Sequence, residues 1–323
     1  MGKPWAVFFA VNMAAMAALC FAAPALGWWM PEGVSTHAKD VDWLFEVILW
    51  ITAFFFFLTE AILIVFLWKY GSGEKSTTNA EFPKFLKPVA GLIDTQHKVE
   101  MAWTIVPAAI LLYIAFAQVN TWAHVKYRSR FSEFVGDKTE SQVELSSRQF
   151  EWRFRYPSAD RAKAWLARSK TDDDVKRDKD SFAKTIQSDD IHTVNELHVI
   201  KDNPVLIHLS TRDVLHSFNL PHFRVKQDAL PGKVIPVWFT PTKSNVVRTK
   251  DAAGRDVWFD GNGRDEQGHP IDKSVVWDIP CAELCGWGHW RMVGRVYVHP
   301  TEDDFLAWLE QTGKSEHGKT AVK

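Results

Sequence analysis

Cysteine is scarce in this sequence, with three cysteines in 323 residues. That is too few for a disulfide framework. Neither sign of charge dominates, because 38 basic side chains stand against 39 acidic ones, so nothing in the charge favours a nucleic-acid partner. The pattern CxxCH does not occur anywhere in the sequence, which argues against a c-type haem attached to this chain.

Apolar residues, by contrast, are plentiful and unevenly spread. Residues 43–68 carry two acidic side chains and residues 101–119 carry no charge at all. Since about 20 apolar residues are enough for a helix to cross a bilayer, transmembrane helices are predicted over about 43–68 and 100–119. They form a hairpin within residues 31–120. A carboxylate as deep in the first helix as Glu60 is expected to face a partner helix or a cavity.

The first 30 residues permit two interpretations. Lys3 is followed by an uncharged apolar stretch and by the small-residue run at 22–25. This pattern fits a cleaved signal peptide as well as an additional transmembrane helix, and both remain open.

The distribution of lysine predicts the orientation of the hairpin. The stretch at 27–42 contains only Lys39, whereas the loop at 69–98 contains five lysines. Positive charge marks the cytoplasmic side of membrane proteins. The loop is therefore predicted to be cytoplasmic, and everything after about residue 120 lies outside.

The outer part, residues 121–300, reads as short strands separated by turns, which is typical of an all-β sandwich or barrel. The turn at 201–204 is predicted to join two of these strands as a hairpin. Two charged insertions interrupt the pattern, at about 158–192 and 242–273, and the second is expected to be a surface loop. A C-terminal helix and a polar tail are predicted over 301–323. The strands are predicted at 143–156, 194–199, 205–209, 233–240, 274–279 and 293–298.

One run of twelve residues carries the chemistry. Cys281, Cys285, His289 and Met292 follow a CxxxCxxxHxxM spacing. Thiolate and thioether sulfur favour copper, whereas a structural zinc site usually has CxxC pairs and does not use methionine. Two thiolates can bridge two metal ions if a second imidazole arrives, and His216 is the candidate. A simple disulfide between the two cysteines is the alternative.

Six separate blocks resemble subunit II of cytochrome c oxidase, in the same order and over roughly residues 42–300 outside the insertions. The blocks are residues 100–107 (EMAWTIVP), 149–157 (QFEWRFRYP), 195–198 (NELH), 213–218 (DVLHSF), 228–232 (DALPG) and 281–292. The resemblance implies a cupredoxin-like Greek-key barrel behind a transmembrane hairpin. It also implies a dinuclear copper centre, CuA, in the outer domain.

Carried over by motif, the resemblance assigns the copper ligands. They are the side chains of His216, Cys281, Cys285, His289 and Met292 and the backbone carbonyl of Glu283. The carboxylate of Glu283 is expected to bind a magnesium ion shared with subunit I.

The resemblance also implies roles outside the ligand set. Glu100 matches a glutamate at the mouth of a proton channel, and Asp213 matches a carboxylate that docks basic cytochrome c. The family's electron-accepting tryptophan is replaced here by Phe150. Since alternation places Phe150 and Trp152 on one strand face, Trp152 or another surface ring is expected to accept electrons.

The expected function is therefore subunit II of an aa3-type-like cytochrome c oxidase. Its partners would be subunit I and other oxidase subunits, membrane lipid, and cytochrome c or another periplasmic carrier. The expected location is a bacterial inner membrane, with a mitochondrial one less expected. Two alternatives remain: the CuA subunit of a nitric oxide reductase, and a copper-free subunit II like that of a quinol oxidase. Glu100, Glu283 and the complete ligand set favour the oxidase.

Overall fold

The computed structural model describes residues 2–71, 96–126, 140–167, 173–251, 254–260 and 275–320. The chain divides into two compact units. The helical unit comprises residues 1–30 and 42–121, and the β unit comprises residues 31–41 and 122–323.

Three long helices occur among the described residues: α1 (Gly2–Ala25), α2 (Thr36–Tyr70) and α3 (Gln96–Lys126). Each is long and apolar enough to cross a membrane. At most 6% of the most apolar window of any of them is buried within the chain, so these surfaces are available to lipid or partner subunits. Helices α2 and α3 extend past the predicted 43–68 and 100–119, because polar residues continue the helical hydrogen bonding beyond the apolar stretch.

The β unit is built from twelve described strands: β1 (Ser141–Arg148), β2 (Glu151–Tyr156), β3 (Ile191–Val194), β4 (Glu196–Ile200), β5 (Val205–Thr211), β6 (His216–Leu220), β7 (Val225–Ala229), β8 (Ile235–Phe239), β9 (Val246–Lys250), β10 (Asp256–Asp260), β11 (Trp277–Pro280) and β12 (Val293–His299). One sheet has the order β3-β2-β1-β5-β8, and a second has the order β11-β12-β4. Strands β6 and β7 form a ribbon of their own, as do β9 and β10.

Side chains from both larger sheets meet in one apolar core. In β1 and β2 the fully buried Leu145, Trp152 and Phe154 belong to it, as expected where alternate side chains of a strand face the core. Both sheets contain a parallel pair, β1 with β5 and β12 with β4. The chain must therefore cross between the layers rather than run as simple hairpins.

The predicted hairpin around residues 201–204 is wrong. Strand β4 pairs with β12, whereas β5 pairs with β1 and β8. Strand β5 lies between β1 and β8 in the first sheet, whereas β4 is an edge strand of the second sheet, and both are buried over most of their length. The turn does form, with Asp202 in the left-handed region at φ 57°, but it carries the chain from one sheet to the other.

The expected surface loop at 242–273 is also wrong in part, because it contains the antiparallel pair β9–β10. The other insertion, 158–192, contains helices α4 (Ala159–Ala167) and α5 (Asp173–Phe182). A last helix, α6 (Glu302–Thr320), ends the described chain.

A buried arginine ties the helical insertion to the sheet. Arg155 of β2 is 4% exposed, and its Nη1 donates to Asp190 Oδ2 at 2.6 Å. The same guanidinium pairs with Glu144 of β1, while Arg161 of α4 donates to the other oxygen of Asp190 at 2.8 Å. Arg155 Nη2 also donates to the carbonyl of Phe182, the last residue of α5, at 2.6 Å. Because a buried charge is stable only when paired, this network fixes α4 and α5 against the sheet.

Candidate metal centre

Two segments 65 residues apart in sequence meet at the end of β6. His216 begins β6, and the run 281–292 connects β11 to β12. A β-bridge joins Phe218 to Cys281, and the amide of Ala282 donates to the carbonyl of Ser217 at 3.0 Å. The two ends of the run are joined by a hydrogen bond, in which the amide of Cys281 donates to the carbonyl of Met292 at 3.0 Å. Backbone hydrogen bonds thus hold the loop against the histidine. We call residues 281–292 the copper loop.

The two thiols of the copper loop face each other without being joined. Cys281 Sγ and Cys285 Sγ are 3.9 Å apart and both cysteines are free. A disulfide would bring the sulfurs to about 2.05 Å, so this arrangement opposes the disulfide alternative. Both thiols are buried.

The remaining predicted ligands lie around this pair of sulfurs. His216 Nδ1 is 3.9 Å from Cys281 Sγ, and His289 Nδ1 is 3.5 Å from Cys285 Sγ. Met292 Sδ lies 3.8 Å from Cys285 Sγ, and the carbonyl of Glu283 lies 3.2 Å from Cys281 Sγ. Each sulfur therefore lies near one imidazole nitrogen and one further donor atom, which is the Glu283 carbonyl oxygen for Cys281 and the Met292 sulfur for Cys285.

Asp213 determines how His216 presents its ring. Asp213 Oδ1 accepts from His216 Nε2 at 2.9 Å, which leaves Nδ1 directed toward Cys281. Oδ1 also accepts from the amide of Val214, and Oδ2 accepts from the amide of Gln149 at 2.7 Å. Partial burial opposes ionisation, yet these hydrogen bonds lower the pKa of the Asp213 carboxyl. Both oxygens are engaged within the chain, so Asp213 positions His216, and its expected docking role stays a prediction.

The two thiols differ in acidity. Burial disfavours the thiolate of Cys281, but hydrogen bonds from His216 and from the backbone of Ser217 lower its pKa overall. Burial and the nearby charge of Cys281 raise the pKa of Cys285. Two adjacent thiolates repel one another, so a cation is required for both to ionise.

The turn between β1 and β2 supports the copper loop from outside. Gln149 Nε2 donates to the carbonyl of Cys285 at 2.6 Å. The ring of Phe150 lies against the loop backbone, and a Cβ placed on Gly288 would come within 2.5 Å of it. Gly286 has φ +127°, a conformation that favours glycine. Only glycine therefore fits at these two loop positions.

The expectation that Trp152 provides an exposed ring is wrong. Strand β2 begins at Glu151, so Phe150 precedes the strand and does not share a strand face with Trp152. Trp152 is fully buried, donates from Nε1 to the carbonyl of Ile279 at 3.0 Å, and lies 6.2 Å from the ring of His216. It is core structure beneath the site.

The structure shows the surroundings of two further predicted side chains without testing their roles. Glu100 is half-buried in the first turns of α3, in the helical unit. The side chain of Glu283 is exposed on the copper loop. Their proposed proton-channel and magnesium roles stay predictions.

Sequence reasoning missed five residues that surround the ligands. Gln149 and the two loop glycines shape the backbone, and Arg291 lies over the ring of Trp287 at 4.6 Å. Trp287 is 78% exposed. The sequence signal available for Trp287 was its place between two predicted ligands, Cys285 and His289.

The apolar helices and the sulfur-lined cluster of the β unit together indicate a membrane protein with a candidate metal site in its β unit. Residues 23–120 match the family model described as cytochrome C oxidase subunit II, transmembrane domain, and residues 143–250 match that of the periplasmic domain. The chain belongs to the cytochrome c oxidase subunit II family, which confirms the predicted resemblance and the cupredoxin-like fold class. The copper loop lies beyond the matched residues, so its interpretation depends on its own geometry.

Named relatives agree with this family. The chain is 27% identical over 308 residues to the alternative cytochrome c oxidase subunit 2 of Bradyrhizobium diazoefficiens, covering 91% of this chain and 88% of that protein. It is 26% identical over 299 residues to cytochrome c oxidase subunit 2 of Thermostichus vulcanus, covering 87% and 78%. A solved periplasmic domain of subunit II from Bradyrhizobium japonicum is 18% identical, with a TM-score of 0.35, over 56% of this chain and 98% of that one.

Proposed function

We propose that this chain is the electron-accepting subunit of an oxygen-reducing haem-copper oxidase, and that the copper loop and His216 hold a dinuclear CuA centre. One observation carries the proposal: two free thiols lie 3.9 Å apart, and each faces the Nδ1 of a different histidine. This donor set suits two bridged copper ions better than a single zinc ion.

The residues proposed to hold the two ions are all on this chain. They are the side chains of His216, Cys281, Cys285, His289 and Met292 and the backbone carbonyl of Glu283. When bound, the copper pair supplies a one-electron carrier that shares its charge over two ions and two sulfurs.

The protein holds the proposed ligands in fixed positions and keeps water away from part of the site. His216 and Met292 are fully buried, so water is kept from that side of the site. The backbone pairing of Cys281 with Phe218 and Met292 fixes the loop, and Asp213 fixes the tautomer of His216. Such support keeps ligands in place when the charge of the site changes. Oxygen chemistry is assigned to the haem-bearing partner.

The remaining roles are extensions of the same proposal. A periplasmic carrier supplies the electrons, and haem in subunit I receives them and couples oxygen reduction to proton pumping. Glu100 is proposed to lead protons into the partner subunit, and Glu283 to bind magnesium at the contact with subunit I. The proposed location is a bacterial inner membrane with the β unit on the periplasmic side.

The test is copper analysis with electron paramagnetic resonance on the chain purified with its partner subunits. We expect two copper ions per chain and a spectrum from one electron shared equally by two copper nuclei. A single isolated copper ion would contradict the dinuclear assignment, and the absence of copper would favour a copper-free, quinol-oxidase-like subunit. Turnover with nitric oxide but not with oxygen would favour the nitric oxide reductase.

A further inference from the structure

The two ends of the copper loop are held by backbone hydrogen bonds. The amide of Ala282 donates to the carbonyl of Ser217, and the amide of Cys281 donates to the carbonyl of Met292, each at 3.0 Å. Ser217 directly follows His216 in β6. Strand pairing therefore fixes Cys281 and His216 relative to each other, and no single side chain controls their positions.

The middle of the loop, residues 283–291, is held differently. Its backbone hydrogen bonds are local, such as the bond from the amide of His289 to the carbonyl of Gly286 at 3.1 Å. Among the residues that the structure describes, one hydrogen bond joins this stretch to a residue outside the loop: Gln149 Nε2 donates to the carbonyl of Cys285 at 2.6 Å. The positions of Cys285 and His289 therefore depend on a side chain of the neighbouring turn.

Gln149 is itself fixed to the opposite side of the site. Its backbone amide donates to Asp213 Oδ2 at 2.7 Å, and Asp213 Oδ1 accepts from Nε2 of His216 at 2.9 Å. The next residue, Phe150, packs against the apolar core, and a Cβ placed on Gly288 would come within 2.5 Å of its ring. Gln149 is thus connected to one histidine through its backbone and to the middle of the loop through its side chain.

Gly286 leaves room for this side-chain contact. A Cβ at that position would lie 2.8 Å from Gln149 Nε2, which is too close for two atoms that are not bonded to each other. The φ of Gly286, +127°, is also one that residues with a side chain rarely adopt. The loop backbone and the Gln149 amide therefore fit each other in shape as well as in hydrogen bonding.

We propose that Gln149 is a positioning residue, which holds the middle of the copper loop at a fixed distance from the His216 side of the site. The inference rests on the proposed copper-binding function. Cys285 and His289 both lie in this middle stretch, so the Gln149 bond fixes two proposed ligands relative to the others. Contacts of this kind orient metal ligands and tune the metal. Gln149 should therefore determine how evenly an electron is shared between the two ions, although its side chain is not a ligand.

The metal-free chain tests this role without copper and without turnover. The full-length chain in detergent carries Cys20→Ser, so that only the two thiols of the loop can react with iodoacetamide, and mass spectrometry measures the rate at each. Gln149→Met removes the hydrogen-bond donor with little change in size. The loop should then open more often, and Cys285 should react about fivefold faster. Cys281, which strand pairing holds, should change in rate by less than about twofold.

Gln187→Met is the matched control for this experiment. Gln187 is also exposed, and its backbone amide also donates to an aspartate, Asp190 Oδ2, at 2.9 Å. This substitution should leave the reaction rates of both thiols at their wild-type values. An equal acceleration of the two thiols in Gln149→Met would indicate a general loosening of the β unit, and an unchanged rate at Cys285 would show that the amide does not hold the loop. Either result would overturn the inference.

The copper-loaded complex separates this inference from the proposed function. In the wild-type complex, electron paramagnetic resonance should show one electron shared equally by two copper nuclei. In Gln149→Met the sharing should become unequal, and a chelator should remove copper about tenfold more readily. A wild-type complex without the two-copper spectrum would count against the proposed function, whereas a normal wild-type spectrum that Gln149→Met leaves unchanged, with unchanged resistance to the chelator, would count against the positioning role.

Discussion

Two histidine clusters in the β unit contain similar residue types but differ in the role that the structure supports. In the copper loop region, Asp213 accepts from Nε2 of His216 and leaves Nδ1 directed at a sulfur. In the second cluster, His198 Nδ1 and His299 Nε2 are 2.9 Å apart, and His299 Nδ1 lies 2.7 Å from Asp304 Oδ2. Both clusters contain two histidines and one carboxylate, but only the first has thiols.

The second cluster is a structural connection. His198 stacks between Tyr297, at 4.5 Å, and Trp308 of α6, at 3.7 Å. Both faces of the His198 ring are covered. The two ring nitrogens of His299 form hydrogen bonds with His198 and Asp304. A buried histidine is therefore interpreted as a metal ligand only when one ring nitrogen is directed toward other potential metal ligands, such as a thiol. The first cluster meets this condition, and the second fastens α6 to β4 and β12.

Removing a thiol should have the largest effect. Cys285→Ser takes away one of the two sulfurs, so we expect the two-copper spectrum, the bound copper and electron acceptance all to be lost. The change is small in volume, and the fold should persist. Copper analysis and absorption spectra of the purified complex check this.

Cys20→Ser is the matched control, because Cys20 is exposed on α1 and belongs to the helical unit. It should keep both copper ions. Full copper content and normal turnover in Cys285→Ser would show that the sulfurs do not hold the metal.

The second largest effect should come from the structural cluster. His198→Ala removes a buried ring between Tyr297 and Trp308, so we expect about 3 kcal/mol less stability, as for other large-to-small core changes. Copper content should stay at the wild-type value. Urea unfolding of the full chain in detergent measures the stability, and metal analysis measures the copper content. His192→Ala, at an exposed position of β3, is the control and should change stability by less than about 0.5 kcal/mol. Loss of copper in His198→Ala would remove the distinction between the clusters.

The sequence predicted a set of ligand residues that the structure brings together, but it did not predict what surrounds them. The CxxxCxxxHxxM spacing predicts chemistry because ligand residues recur at fixed separations in one loop. Sheet pairing is not local, so the sequence did not show that β4 and β5 belong to different sheets. The buried position of Trp152 was missed for a similar reason, since the sequence did not show which face of β2 the second sheet covers.

A smaller effect is expected from the residue that orients His216. Asp213→Asn keeps the shape but removes the charge that holds Nε2–H, so we expect copper to bind about 10- to 100-fold more weakly. Competition with a copper chelator measures this affinity. Asp304→Asn is the equivalent change in the structural cluster and should leave copper affinity unchanged. An equal effect of the two substitutions on copper binding would mean that Asp213 has no specific role.

The smallest effect is a dependence of stability on pH that comes from the structural cluster. Burial lowers the pKa of His198 well below its usual value, and the neighbouring His299 lowers it further. Burial also lowers the pKa of His299, against the opposing effect of Asp304. In the unfolded chain both rings bind protons near pH 6.5, so the folded state binds fewer protons below that pH. Stability should therefore be highest above pH 6.5 and should fall on acidification by up to about 1.4 kcal/mol per pH unit for each histidine.

Urea unfolding at pH 8, 7, 6 and 5.5 measures this slope, and the Cys285→Ser background removes any contribution from copper release. His198→Gln in that background eliminates one of the two titrating rings, so its stability should fall less steeply below pH 6.5. If the slopes with and without His198 were the same, the acid sensitivity would belong to other groups, and the two clusters would no longer differ in how they respond to protons.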